Sequence, residues 1–99
     1  MANSIITWDR RALLQFNKAI RFIAEDSIQY AEKVSAEIIS LIEELPAQPE
    51  KYPPDKYKLE NNGKYRVFEL HRLRVAYYVG SDFIRILRVR HTSREPQAY

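Results

Sequence analysis

The hydrophobic period of this chain changes once, across a proline-rich segment that neither a helix nor a central strand can traverse. From Asp9 to Leu45 apolar residues recur every three or four positions, and from Tyr65 to Val89 they alternate. Between these stretches, residues 46–63 hold Pro46, Pro49, Pro53 and Pro54, each lacking a backbone donor and fixed in φ. A helical half followed by a strand half predicts an α+β fold with its helices gathered on one side of a sheet.

Within the first half, Asp9 is placed to cap a helix whose apolar stripe is Leu13, Phe16, Ile20 and Ile23. The stripe pauses at Glu25-Asp26-Ser27, where Asp26 and Gln29 have the spacing of a capping box. A second stripe follows, Ile28, Ala31, Val34, Ile38, Leu41, Ile42 and Leu45, and ends at Pro46. Two amphipathic helices across so short a turn form an antiparallel hairpin. Ser4–Trp8, ahead of them, is short and β-rich. Beyond the prolines, Tyr65–Leu70, Leu73–Val79 and Phe83–Val89 read as strands joined at His71-Arg72 and Gly80-Ser81-Asp82, and Lys56–Leu59 as a short extended piece. The expected architecture is β-α-α-β-β-β, one domain over residues 1–99. Its helical hairpin packs on one face of a small, mainly antiparallel, twisted sheet, and the other face is partly open.

Composition narrows the chemistry. The chain has no cysteine and two histidines far apart, which leaves no thiolate site, no disulfide and no metal-ligand spacing. With two glycines there is no phosphate-cradling loop, and no G-x-S-x-G elbow occurs. Any catalysis is therefore expected to be free of metal and cofactor. No apolar run is long enough to span a membrane, and the expected compartment is the cytoplasm. Charge is unevenly spread. Residues 1–50 carry five Lys/Arg against eight Asp/Glu, whereas residues 51–99 carry eleven against five. The second half is the one suited to phosphates or an acidic partner.

The cations of that half concentrate on the strands: Arg66, Arg74, Arg85, Arg88 and Arg90, with Lys64 just before and Arg94 just after. Guanidinium groups offer planar donor forks that match phosphate and carboxylate oxygens. Lys64, Arg66, Arg74, Arg88, Arg90 and Arg94 are accordingly the candidate nucleic-acid or partner-binding residues. The alternative is a solvated face pairing with Glu69, Asp82 and Glu95. Simple alternation from Phe83 onward sets Ile84, Ile86, Arg88 and Arg90 on one side, and Arg85, Leu87 and Val89 on the other. Arg74, Arg90, His91 and Tyr99 are the candidate catalytic residues. His91, with Arg90 and Arg94 close in sequence, has the surroundings of a neutral base for a 2′-hydroxyl, and Tyr99 offers a phenol or a ring to stack on a base. Structural roles compete with these, and for His71, in a turn, the structural role is preferred.

The order Ile23…Asp26-Ser27…Ala31…Ile38…Ile42…Leu45-Pro46, then Tyr65-Arg66-Val67, Arg74-Val75-Ala76-Tyr77-Tyr78-Val79 and Ile86-Leu87-Arg88-Val89-Arg90-His91, resembles the RelE/ParE superfamily of type II toxin–antitoxin systems, the plasmid stabilisation family. The resemblance implies growth inhibition and an acidic antitoxin, encoded adjacently, that wraps the toxin. It also implies contact with operator DNA only through the antitoxin complex. Its RelE-like branch cleaves mRNA on the ribosome. On that pattern Arg74 matches a strand arginine, Arg66 a lysine and Tyr99 the terminal tyrosine, while Phe68 stands where a second lysine is expected. Its ParE-like branch poisons DNA gyrase, and the long hairpin and the ending Arg88-Val89-Arg90-His91-Thr92-Ser93 look nearer to it. Three readings stand: a gyrase poison, a ribosome-dependent endoribonuclease, and a non-toxic antitoxin-binding module.

Overall fold

A single serine separates the two helices. The computed structural model describes residues 4–99, with α1 at Arg10–Asp26 and α2 at Ile28–Glu44. Ser27 between them is extended. Its amide donates to Ile23 O at 3.0 Å, and its hydroxyl accepts from the Tyr30 amide at 3.1 Å. One residue thus closes the first helix and caps the second. The expected capping box of Asp26 and Gln29 gives way to a simple cap at Ser27, because Asp26 completes the last turn of α1.

The remaining elements are β1 (Ile5–Trp8), β2 (Tyr65–Leu70), β3 (Leu73–Val79) and β4 (Phe83–His91), in a sheet ordered β1-β4-β3-β2. Ile5–Trp8 pair parallel to Phe83–Ile86, and the other neighbours are antiparallel. Ala12 and Phe16 of α1 and Val34, Ile38 and Ile42 of α2 pack on Phe68, Leu73, Val75, Tyr77, Ile84, Ile86 and Val89 from the sheet. Two residues of the expected stripes lie outside this core. Leu13 is 44% and Ile28 67% exposed, since Ala12 and Phe16, one turn apart, set the buried face of α1. Ala12 is fully buried, its small side chain allowing close approach.

β4 departs from simple alternation at one residue. Ala76 pairs with Arg88 and Tyr77 with Ile86, so Leu87 is an unpaired bulge. An extra residue reverses the faces beyond it. Ile84, Ile86 and Val89 consequently face the helices, whereas Arg88 and Arg90 join Arg85 on the helix-free face, correcting the alternation expected from sequence. β1 ends opposite Ile86, and the Val89 amide further along β4 donates instead to Gln15 Oε1 of α1 at 2.8 Å.

At the β2–β3 hairpin, His71 and Arg72 both take positive φ, 52° and 62°, the geometry a two-residue turn demands and side chains resist. The turn is held from outside. Thr92 N donates to Arg72 O at 2.8 Å, and the His71 ring bonds Glu37 and lies 3.5 Å from the Tyr30 hydroxyl. Residues 56–59 form turns rather than an extended piece. It is Pro54 that bridges to Arg66, along the outer edge of β2. Loss of the shared cap should be measurable: Ser27→Ala is expected to lower stability by about 1 kcal/mol, read from the urea midpoint at constant m-value.

Candidate anion-binding face

The sheet face away from the helices carries Tyr65 and Glu69 from β2, Arg74 and Tyr78 from β3, and Arg85, Arg88 and Arg90 from β4. Cross-strand pairing sets Arg74 beside both Glu69 and Arg90. The first neighbour is favourable and the second repulsive. The proline-rich segment and the tail after β4 fold across this face and meet at Asp55, the one charged residue buried among the described residues, at 1% exposure.

Asp55 is fully engaged. Its Oδ1 accepts from the Tyr57 amide and from Arg74 Nη2, both at 3.0 Å, and its Oδ2 accepts from the Tyr99 hydroxyl at 2.8 Å. Its backbone amide donates to Tyr65 O at 2.8 Å, and its carbonyl accepts from Asn61 Nδ2 at 3.1 Å. Burial works against the carboxylate, but the Tyr57 amide, the Tyr99 hydroxyl and Arg74 together outweigh it and hold Asp55 below the usual carboxylate range. Burial, followed by the bond to Asp55 and its charge, pushes the Tyr99 phenol above its ordinary value. Burial likewise raises Tyr77, whose hydroxyl donates to Pro49 O at 2.8 Å, to about 12.

Two hollows open on this face, and Arg88 is a wall of both. The smaller, about 140 Å³, is lined by Arg74, Arg90, His91, Thr92 and Arg94 among others. The larger, about 450 Å³, lies beside the start of α1 and includes Tyr99. Of the residues singled out from sequence, Arg74, Arg88, Arg90, His91 and Arg94 converge, with Tyr99 on the other side of Arg88. Lys64 and Arg66 line neither hollow. Arg66 shares the side of β2 that carries Phe68. Its Nε donates to Gly63 O at 3.0 Å and its Nη1 to Tyr52 O at 2.7 Å, tying down the loop.

The chemistry open to each group follows from its partners. Arg74 Nη1 donates to Glu69 at 2.7 Å while its buried Nε lacks a partner among the described residues. His91 Nδ1 accepts from the Ser93 amide at 3.0 Å. That leaves the ring proton of a neutral His91 on Nε2, a donor toward the hollow. Arg88 Nη2 donates to Gln97 O at 2.6 Å, and its guanidinium lies 3.9 Å from the centre of the Tyr99 ring. Burial lowers Arg88 from its ordinary value, with Tyr99 and Asp55 opposing. Among the described residues, no three acidic or histidine side chains are grouped to hold a metal ion. No helix there is long and apolar enough to cross a membrane.

Sequence reasoning missed Asp55 altogether. Its signal is weak: an acid after two prolines, two residues before Tyr57, as an Asx turn requires.

Two outcomes test this network. Arg74→Ala strips a buried carboxylate of its counter-charge and should cost about 3 kcal/mol or more. Glu69→Ala, at an exposed partner, should cost under about 1 kcal/mol. Both are readable by urea unfolding. The pH profile has two arms. Asp55 is lower in the folded state than in the unfolded one, so the unfolded state binds more protons in acid. Its contribution is complete above the unfolded value near 4 and disappears as pH falls through the folded one. Tyr77 and Tyr99 are both raised, so their contribution is complete below about 10 and is lost as pH climbs through their folded values, about 12 for Tyr77. Thermal melts across pH should show both arms, with Asp55→Asn flattening the acid one.

The comparisons bear on the whole chain. No curated protein matches it. A solved structure described as the "Chromosomal ParDE TA system from P. aeruginosa" superposes with a TM-score of 0.70 at 16% identity, over 92% of this chain and 98% of that one. At that identity the likeness is one of fold. A family profile described as "ParE toxin of type II toxin-antitoxin system, parDE" matches residues 6–96. With nearly every described residue inside that match, this chain belongs to the ParE toxin family of type II toxin–antitoxin systems.

Proposed function

We propose that this toxin arrests growth by poisoning DNA gyrase, through binding and without bond chemistry of its own. The observation that carries the reading is the commitment of Arg74 and Tyr99 to Asp55. A RelE-like ribonuclease would spend these two side chains on RNA. Here the phenol proton is held by a buried carboxylate, and the guanidinium charge is offset by Asp55 and Glu69. Phe68, where that chemistry would want a second lysine, is 3% exposed in the core. Membership of the ParE family supports the same reading.

The antitoxin that this family pairs with is expected to be acidic and to wrap the toxin. Leu14 and Phe22 of α1 and Ile28 of α2 are 57%, 69% and 67% exposed. These exposed apolar side chains are available to an amphipathic helix, with contact to operator DNA left to the antitoxin. The ribonuclease reading keeps one point in its favour: Arg74, Arg90 and His91 line one hollow.

The test sets purified toxin in a gyrase supercoiling and cleavage assay beside a translation reaction probed for mRNA cuts. Trapped gyrase–DNA with intact mRNA is expected. Cut mRNA with normal supercoiling would replace this reading with the ribonuclease, and neither effect would leave an antitoxin-binding module. Arg90→Ala and His91→Ala are the informative variants, since changes at Arg74 or Tyr99 also disturb the fold.

A further inference from the structure

Four cations surround the larger hollow, and none has a carboxylate within ion-pair distance among the described residues. Arg10 and Arg11 come from the first turn of α1, Lys58 from the loop and Arg88 from β4. The ion pairs of the described residues go to Arg74, Arg85 and His71 instead. Asp9, the one acidic side chain lining the hollow, has Arg85 as its cation, at 4.0 Å.

The placement of Arg10 and Arg11 opposes the helix they begin. The start of a helix carries a partial positive charge and favours acids. This first turn has none, and the Asp9 side chain makes no cap bond. Both arginines are exposed, so packing does not require them. An anion in the hollow would relieve the repulsion.

We infer that this hollow is a phosphate-backbone site that takes duplex DNA, the choice of DNA resting on the gyrase reading above. Its walls present side-chain cations, and the main-chain groups of its loop and tail are already paired. Leu59 N donates to Tyr99 O at 2.6 Å, Tyr99 N donates to Tyr57 O at 3.0 Å, and Pro54 covers β2. A peptide adding as a strand along the loop and tail would find those main-chain groups already bonded, whereas phosphates need only donors and charge. The Tyr99 ring already carries Arg88 at 3.9 Å and Lys58 at 5.6 Å. It supports cations rather than serving as a stacking platform. Arg88 continues into the smaller hollow with Arg74, Arg90 and Arg94, giving a backbone a path across the face.

The test is a titration of purified toxin with a short labelled duplex at stepped salt concentrations. The double variant Arg10→Ala/Arg11→Ala should bind about tenfold or more weakly at low salt, and its log–log salt slope should be shallower by about 2, near 0.9 per lost contact. The charge-matched Lys18→Ala/Arg21→Ala on the exposed side of α1 should bind as wild type does. The melting temperature of the first variant should not fall, which separates lost contacts from lost fold. Equal weakening by both double variants would overturn the site, as would tighter binding of single-stranded RNA or polyglutamate than of duplex. A gyrase cleavage assay run in parallel keeps the two ideas distinct. Duplex binding through Arg10 and Arg11 without gyrase trapping sinks the gyrase reading alone. Trapping with an unaltered salt slope in the variant sinks the site alone.

Discussion

The buried carboxylate of Asp55 is the interaction on which the helix-free side of this protein depends. The proline-rich segment and the tail lack regular structure, and neither has an apolar stripe to bury. Asp55 joins them by accepting bonds from Tyr57, Arg74 and Tyr99, one from its own loop, one from the sheet and one from the end of the chain. Desolvating a carboxylate is expensive, and the geometry offsets that cost only because all three donors arrive together. Disturbing any one donor therefore disturbs the placement of the other two.

The same carboxylate makes the basic face possible. Arg74 stands beside Arg90 across the strands, and Arg88 is two pairs further on, next along the same face. Like charges so placed repel. Asp55 and Glu69 neutralise Arg74 and leave Arg88, Arg90 and Arg94 to project an uncompensated field. Such a field would speed encounter with the polyanion proposed above and with an acidic antitoxin segment, through electrostatic steering.

Much of the fold was legible in the sequence because the change of period is a direct image of buried and exposed faces. Both helices, the three later strands and both hairpin turns follow from it, and the first strand from its β-rich composition. The failures have particular causes. Leu13 looked like core because size suggests burial, yet Ala12 is the residue close packing selects. Arg88 and Arg90 were assigned to the wrong face because a bulge at Leu87 depends on the neighbouring strand. The parallel pairing of β1 with β4 leaves no local trace. For the site, the arginine-rich strands were plain, but Asp55 was invisible. A buried ion pair between a loop and a strand is set by tertiary approach, and residue type alone does not announce it. Arg66 shows the converse: its charge suggested a ligand, and its bonds go to the backbone of its own loop.

The pairing of β1 with β4 also orders events in time. The ribosome makes Ile5–Trp8 well before Phe83–Ile86, their one strand partner among the described residues. During most of its synthesis the chain therefore has two helices with nothing to cover their apolar stripes, and a strand waiting for its neighbour. Contacts so distant in sequence close slowly, and a nascent chain in that condition sticks readily to other proteins. The arrangement gives the first strand the role of a latch: the sheet closes only when Phe83–Ile86 have been delivered.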